Sequence, residues 1–225
     1  MAHRSEPSSE PYPSALEFLP KSHTLPALRK AAQACKGCPL YSHATQAVFG
    51  EGATNAEIIL IGEQPGDHED IEGKPFVGPA GNLLDKCLED AGIERSQVFI
   101  TNAVKHFKWE PRGKRRLHKK PTLREIAACR PWLDAEIETV QPRLLICLGA
   151  TAAQGLLGKK FLVTKHRGEI VELENYPPIT ATIHPSAILR APDDESRHRE
   201  RAQFIEDLKV AARHVSRSRR RAETH

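Results

Sequence analysis

The stretch Ala56-Glu-Ile-Ile-Leu-Ile-Gly-Glu-Gln-Pro-Gly66 decides the fold. Its first half, Ala56–Gly62, is an apolar run closed by glycine, the pattern of a strand buried on both faces of a parallel sheet. Its second half, Gly62–Gly66, is a Gly/Pro turn whose backbone N–H groups can approach a ligand closely while Pro65 stiffens the loop. Working outward, Val98–Val104, Arg143–Gly149 and Ile179–Ile183 read as three more strands of the same kind. Helical patterns separate them. Ala80–Ala91 carries Leu83, Leu84, Cys87, Leu88 and Ala91 on one face, and Thr122–Val140 opens with Thr122 and Glu125 in capping-box spacing. Leu25–Ala34 and Ala150–Leu157 are short helices, Phe161–Leu173 is turn and strand, and Glu195–His214 is a closing helix. This alternation predicts a single three-layer α/β/α domain over residues 25–215, with a mostly parallel four-stranded central sheet. Residues 1–24, rich in Pro and Ser without periodicity, are expected to be disordered, and 216–225 to form a disordered basic tail.

Reactive groups in such sheets gather at the carboxyl ends of the strands. Four segments occupy those positions here: Gly62–Gly66, Asn102–His106, the turn after Leu148, and His184–Ser186. No stretch approaches the roughly 20 apolar residues of a membrane-spanning helix, and the N-terminus lacks the apolar core of a secretory signal. A cytoplasmic protein with no membrane partner is expected. The net charge of +4 is modest but unevenly spread, since Lys and Arg crowd Arg112–Lys120 and Arg213–Arg221. Such runs suit a polyanion, although each is equally a solvated surface.

Within Gly62–Gly66, Glu63 offers an acid/base group and Gln64 an amide reader at one spot. Phe76, on the Gly/Pro-rich loop Phe76–Gly81, can stack on a flat base or plug the core beneath the loop. His184, at a strand end, can donate to a developing negative oxygen or serve structurally. The five cysteines are an odd number in a cytosolic chain, which argues against a disulfide framework. Cys35-x-x-Cys38 and Cys129 make three candidate metal ligands, one short of four. Cys87 and Cys147 lie on apolar faces and read as core thiols. His106 ends a strand and can reach outward, so it is the fourth candidate.

Taken in order, Gly62–Gly66, Pro75–Gly81, Thr101–His106, Cys129-Arg-Pro-Trp-Leu133 and His184-Pro-Ser186 resemble the uracil-DNA glycosylase superfamily, in particular its iron–sulfur branch, family 4. The insert Gly113-Lys-Arg-Arg-Leu-His118 is similar to the mark of the UdgX group, with Leu117 where an Ile is usual. His106 stands where family 4 typically has a cysteine. The resemblance covers roughly Cys35–Leu208.

It implies a compact α/β fold, a 4Fe–4S cluster on Cys35, Cys38, His106 and Cys129, and base-excision repair of uracil-containing DNA, with single strands preferred and the protein a monomer. Uracil would be held by Gly62, Gln64, Phe76, Asn102 and His184. Catalysis would fall to Glu63, Gln64, Arg116, His118 and His184, and DNA contacts to Lys114, Arg115, Arg116 and Ser186. It further implies that His118 attacks the sugar C1′ and stays attached. The neighbouring Lys114, Arg115, Arg116, Lys119 and Lys120 are expected to keep that imidazole neutral, because like charges disfavour protonation. Two alternatives stand beside this: a turnover glycosylase that leaves an abasic site, and a non-catalytic nucleic-acid-binding module with a structural zinc on the same ligands.

Overall fold

The computed structural model describes residues 12–223. In chain order the strands are β1 (Glu51–Gly52), β2 (Ile58–Gly62), β3 (Val98–Asn102), β4 (Trp109–Arg112), β5 (Arg115–His118), β6 (Leu144–Leu148) and β7 (Ile179–Thr182). The helices are α1 (Leu25–Ala32), α2 (Asp67–Glu72), α3 (Pro79–Asp90), α4 (Leu123–Val140), α5 (Ala150–Leu157), α6 (Val163–His166), α7 (Pro185–Leu189) and α8 (Asp194–Glu223). Four parallel strands run β3-β2-β6-β7. The sheet has five strands rather than four, because β1 pairs antiparallel along the outer edge of β3.

Every residue of β2, β3, β6 and β7 is buried, which is why apolar residues dominate them; the exceptions, Thr101, Asn102, Thr180 and Thr182, are small polar side chains. The period-2 rule then sorts their side chains between two cores. Ile59, Ile61, Phe99 and Leu145 pack with Leu28 of α1 and Trp132 and Leu133 of α4. Ile58, Leu60, Ile100 and Ile146 pack with Leu84 of α3, Ile188 of α7, and Phe204 and Leu208 of α8. Each fully buried side chain of this size contributes about 1.5–3 kcal/mol, and the two cores together hold both helical layers on the sheet. The capping box opens α4 as its sequence spacing indicates: Glu125 N–H donates to Thr122 Oγ1 at 3.3 Å, and Thr122 N–H to Glu125 Oε2 at 2.6 Å.

Both expected disordered ends are more ordered than composition indicates. Residues 1–11 lie outside the described residues, but a 3-10 helix at Ala15–Phe18, capped by Ser14, puts Ala15 in the core. That turn packs so closely on the Cys-x-x-Cys segment that a Cβ on Gly37 would stand 2.7 Å from Ala15 N. At the other end α8 continues to Glu223, with Arg219 paired to Glu57. Glu57 also meets Arg143 at 3.3 Å, so the basic helix end has a carboxylate waiting for it on the body.

The basic insert is not a loop. β4 and β5 form an antiparallel hairpin in which Arg112 faces Arg115. Its two-residue turn begins at Gly113 with φ +60°, a conformation that glycine adopts without steric cost. The pairing Trp109↔His118 brings His118 back to the hairpin's base, beside the main sheet.

Candidate active site

The carboxyl ends of β2, β3, β6 and β7 open into a cavity of about 700 Å³. Glu63 and Gln64 come from β2, Asn102 from β3, Gly149–Thr151 from β6, and His184 and Ser186 from β7. The loop before α3 adds Phe76, and the hairpin adds His118. The two loops leaving β2 and β3 are stitched together, since Ala103 N–H donates to Gly62 O at 2.9 Å and Val104 N–H to Glu63 O at 3.1 Å.

One wall is shaped for a flat, polar-edged ring. Gly62 has no side chain because none fits: a Cβ there would stand 2.2 Å from Asn102 Oδ1 and 2.8 Å from Phe76 Cζ. Phe76 is held in the left-handed region at φ +55°, with its carbonyl over Gly81. Its ring lies 5.6 Å from that of His184 at an interplanar angle of 30°. Asn102 is 1% exposed, and its Nδ2 has no hydrogen-bond partner among the described residues. An unpaired buried donor costs about 1–3 kcal/mol, a penalty that a ligand carbonyl in the cavity would remove.

His184 faces the same space as a neutral donor. Ser186 N–H donates to His184 Nδ1 at 3.1 Å, and Ser186 Oγ stands 2.8 Å from it. Nδ1 is therefore the unprotonated nitrogen, and Nε2 carries the hydrogen. Burial, with Arg190 and His118 nearby, lowers the His184 pKa to about 4. Ser186, expected on DNA, is placed here to fix this tautomer.

His118 closes the opposite side. Its Nε2 stands 3.6 Å from Glu63 Oε1 and 3.0 Å from Gln64 Nε2, and its ring lies 6.0 Å from that of Phe107. Its pKa is lowered, but chiefly by burial; Glu63 opposes the shift and Arg190 adds to it. The expected cause, the adjacent basic residues, is corrected here. Lys114 and Arg115 are exposed on the hairpin, Lys119 pairs with Glu110 at 2.9 Å, and Arg116 is engaged elsewhere. The cation that acts is Arg190, just past α7, which also lines the cavity.

Gln64 and Arg116 do not have the surroundings foreseen for them. Gln64 is 6% exposed, and its amide holds the hairpin base: Nε2 donates to Lys108 O at 3.1 Å and Lys119 O at 3.0 Å, while Oε1 accepts from Lys108 N at 3.2 Å. Arg116 does not line the cavity. It reaches Asp67 Oδ1 at 2.5 Å and Asp70 Oδ2 at 2.6 Å, with Phe107 and Trp109 under its guanidinium. Asp70 is fully buried and also accepts from Thr45. The pair is a latch that pins the hairpin against α2. Arg116→Met leaves the Asp70 charge uncompensated, which typically costs about 3–5 kcal/mol. The expected result is faster tryptic cleavage at Lys114–Arg115, measured against the unmodified protein.

Four of the five cysteines, Cys147 of β6 among them, are buried in the core on the α1 and α4 side of the sheet. Cys35, Cys38 and Cys129 are buried in one core and act on one another electrostatically. Cys87 belongs to the core on the opposite face of the sheet, and Cys147 sits mid-strand in β6. Burial pushes Cys38 up to about 11 and Cys129 up to about 12, so thiolates there need a cation beside them. Backbone donors for such thiolates are in place: Lys105 N–H meets Cys129 Sγ at 3.3 Å, and Leu40 N–H serves Cys38. His106 follows Lys105 directly and is 5% exposed; burial lowers its pKa to about 4, leaving a neutral imidazole able to ligate. The charge that acts on His106 is Asp70 rather than a thiol. Among the described residues no three Cys, His, Asp or Glu side chains group as they would around a single ion. In a four-iron cluster each ligand meets its own iron, so the donors stand further apart; the three buried thiols have the chemistry for that group, and His106 follows the residue whose N–H meets Cys129.

Residue reasoning missed Thr151 and Arg190. Arg190 carries a usable signal, as a cation six residues after the strand-end histidine. Thr151 carries none, being one small polar residue in a helix. No helix among the described residues is long and apolar enough to cross a membrane.

The uracil DNA glycosylase superfamily model matches residues 49–209. A type-4 uracil-DNA glycosylase of Thermotoga maritima is 39% identical over 178 residues, covering 79% of this chain and 87% of its own. One from Sulfurisphaera tokodaii is 38% identical over 178 residues, covering 72% and 78%. A type-5 uracil-DNA glycosylase of Pyrobaculum aerophilum is 31% identical over 155 residues, covering 61% and 64%. Since the family match spans the whole sheet and every strand end that lines the cavity, the chain belongs to the uracil DNA glycosylase superfamily.

Proposed function

We propose that this protein excises uracil from DNA and that His118 then captures the sugar, as in the UdgX group. The similarity to type-4 enzymes supports the excision. The observation that carries the capture is the His118 ring in the wall of the base cavity, its Nε2 3.6 Å from Glu63 Oε1.

An extruded uracil enters the cavity, with Phe76 against its face and Asn102 Nδ2 donating to its edge. The C1′–N1 bond breaks with its electron pair leaving on the base. His184 Nε2–H, neutral and preorganised, stabilises the resulting uracil anion. Positive charge develops at C1′, and the lone pair of the neutral His118 imidazole forms the new N–C1′ bond. The alkylated ring becomes cationic, and Glu63 counters that charge. No second leaving group is present, so the chain ends as a covalent adduct. Turnover with release of an abasic site is the outcome if water reaches C1′ first.

Cys35, Cys38, Cys129 and His106 would hold a 4Fe–4S cluster, which ties the N-terminal Cys-x-x-Cys segment to α4 and does no bond-making in excision. The same reading has the protein acting as a monomer, with single-stranded DNA preferred. Intact-mass analysis after incubation with a uracil oligonucleotide tests it. The expected product is protein plus one oligonucleotide less uracil; free protein with alkali-labile DNA overturns the capture and leaves the excision standing.

A further inference from the structure

We propose that Thr151 is a positioning residue that aims the Glu63 carboxylate at His118; this rests on the reading of His118 as the attacking group. Thr151 is 4% exposed and is the second residue of α5, on the turn leaving β6. Its Oγ–H donates to Glu63 Oε2 across 88 residues of chain. With that oxygen engaged, Oε1 is the one left facing His118 Nε2 at 3.6 Å. One carboxylate therefore bridges a buried hydroxyl and the nucleophile, an ordering common to activated nucleophiles, whose base is held by a third group.

Two further observations show why a fixed orientation matters. The Glu63 side chain is 22% exposed, so solvent competes for it once its anchor is gone. Lys120 also lines the cavity and offers a cation toward which a freed carboxylate can turn. Thr151 itself is held by a rigid turn. Gly149 sits at φ +93°, where a Cβ would stand 3.2 Å from His184 Cβ. The same β6–α5 turn thus seats the hydroxyl that orients Glu63 and packs against the histidine that serves the leaving base. The first turn of α5 also favours a carboxylate through its partial positive charge.

Thr151→Val keeps shape and volume and removes the hydroxyl. Losing a hydrogen bond to a charged group slows a step that depends on it by about 10- to 100-fold. The experiment is single-turnover reaction of the full-length protein with a uracil oligonucleotide, with uracil release and adduct quantified separately over a range of protein concentrations. The expected result is a maximal adduct rate lower by that factor in Thr151→Val, an unchanged half-saturating concentration, and recovery in Thr151→Ser. A wild-type rate in Thr151→Val overturns the proposal. So does a Thr151→Ser protein as slow as Thr151→Val, which would assign Thr151 to packing. If Thr151→Val fails to fold, Thr151→Ala replaces it and is compared with Thr151→Ser by the same criteria. Should the unmodified protein release uracil without an adduct, the reading of His118 fails, and Thr151 is judged on uracil release alone, where the same loss and recovery are expected.

Discussion

On the proposed capture, His118→Gly is expected to abolish the denaturant-stable protein–DNA complex while uracil release continues, with water in place of the imidazole at C1′. The groups proposed to make the base leave are intact in this variant: Asn102, Phe76 and His184 still line the cavity, and Glu63 is still held by Thr151. Removing the ring opens the cavity beside Glu63, where water can reach the sugar. Neutrality of the imidazole sets the pH dependence of the unmodified protein. Burial lowers the His118 pKa from the ordinary 6.5. Above the lowered value the ring is neutral and has the lone pair that the proposed attack needs; below it the ring is protonated and has none. Adduct formation should therefore persist as pH falls through 6.5, where half of an unperturbed histidine would already be protonated, and decline only at lower pH. A denaturing gel run across pH 5 to 8 reads both effects. A boiling-resistant band from His118→Gly would remove this residue from the chemistry.

The parts of this architecture that were legible in the sequence share one cause. β2, β3, β6 and β7 are covered on both faces, so each is rich in apolar residues with at most small polar ones among them, and the residues at the carboxyl end of each are the ones that meet in the cavity. Thr122 and Glu125 were legible because a capping box is local, complete within four residues. What escaped depends on contacts between distant segments. The hairpin strands are polar on both faces, so no alternation marks them, and only Gly113 hints at the turn. The basic end of α8 reads as a frayed tail until Arg219 is seen against Glu57, 162 positions away. The His118 error has the same origin. Five cations lie within four residues of it along the chain, yet the hairpin turns Lys114 and Arg115 outward and Arg116 and Lys119 into ion pairs, leaving only Lys120 at the cavity, and desolvation does what their repulsion was expected to do. Gln64 lines the cavity, as its place on the Gly62–Gly66 turn suggests, and its amide also completes the hairpin's backbone bonding, which only the distant hairpin reveals.

Replacing Lys105 by methionine should lower the unfolding free energy by about 3–5 kcal/mol, the largest stability loss expected from one surface-remote substitution in this chain. Lys105 is 1% exposed, and its Nζ donates to Thr101 Oγ1 at 2.6 Å, Glu136 Oε2 at 2.7 Å and Asn102 O at 2.8 Å. Glu136 is fully buried; its Oε1 accepts from Gly50 N at 2.9 Å and its Oε2 from Thr101 Oγ1 at 2.8 Å. Methionine has nearly the shape of lysine but leaves that carboxylate with only neutral donors, in a region where a lone charge is poorly solvated. Glu136→Gln strands the ammonium in the same way. The double variant Lys105→Met/Glu136→Gln carries neither charge and should recover much of the loss, because breaking a buried pair costs more than deleting it. Urea unfolding of the four proteins gives the coupling directly, and a single-variant loss below about 1 kcal/mol would place the pair among interactions that behave as though solvated. The effect should also reach function. Lys105 holds the backbone of Asn102 through its ammonium and the sulfur of Cys129 through its N–H, so one residue joins the proposed base reader to the buried cysteines. Slack introduced there should weaken uracil recognition in the folded fraction, whereas a core truncation of equal cost on the α8 face of the sheet, such as Leu208→Ala, should leave it unchanged.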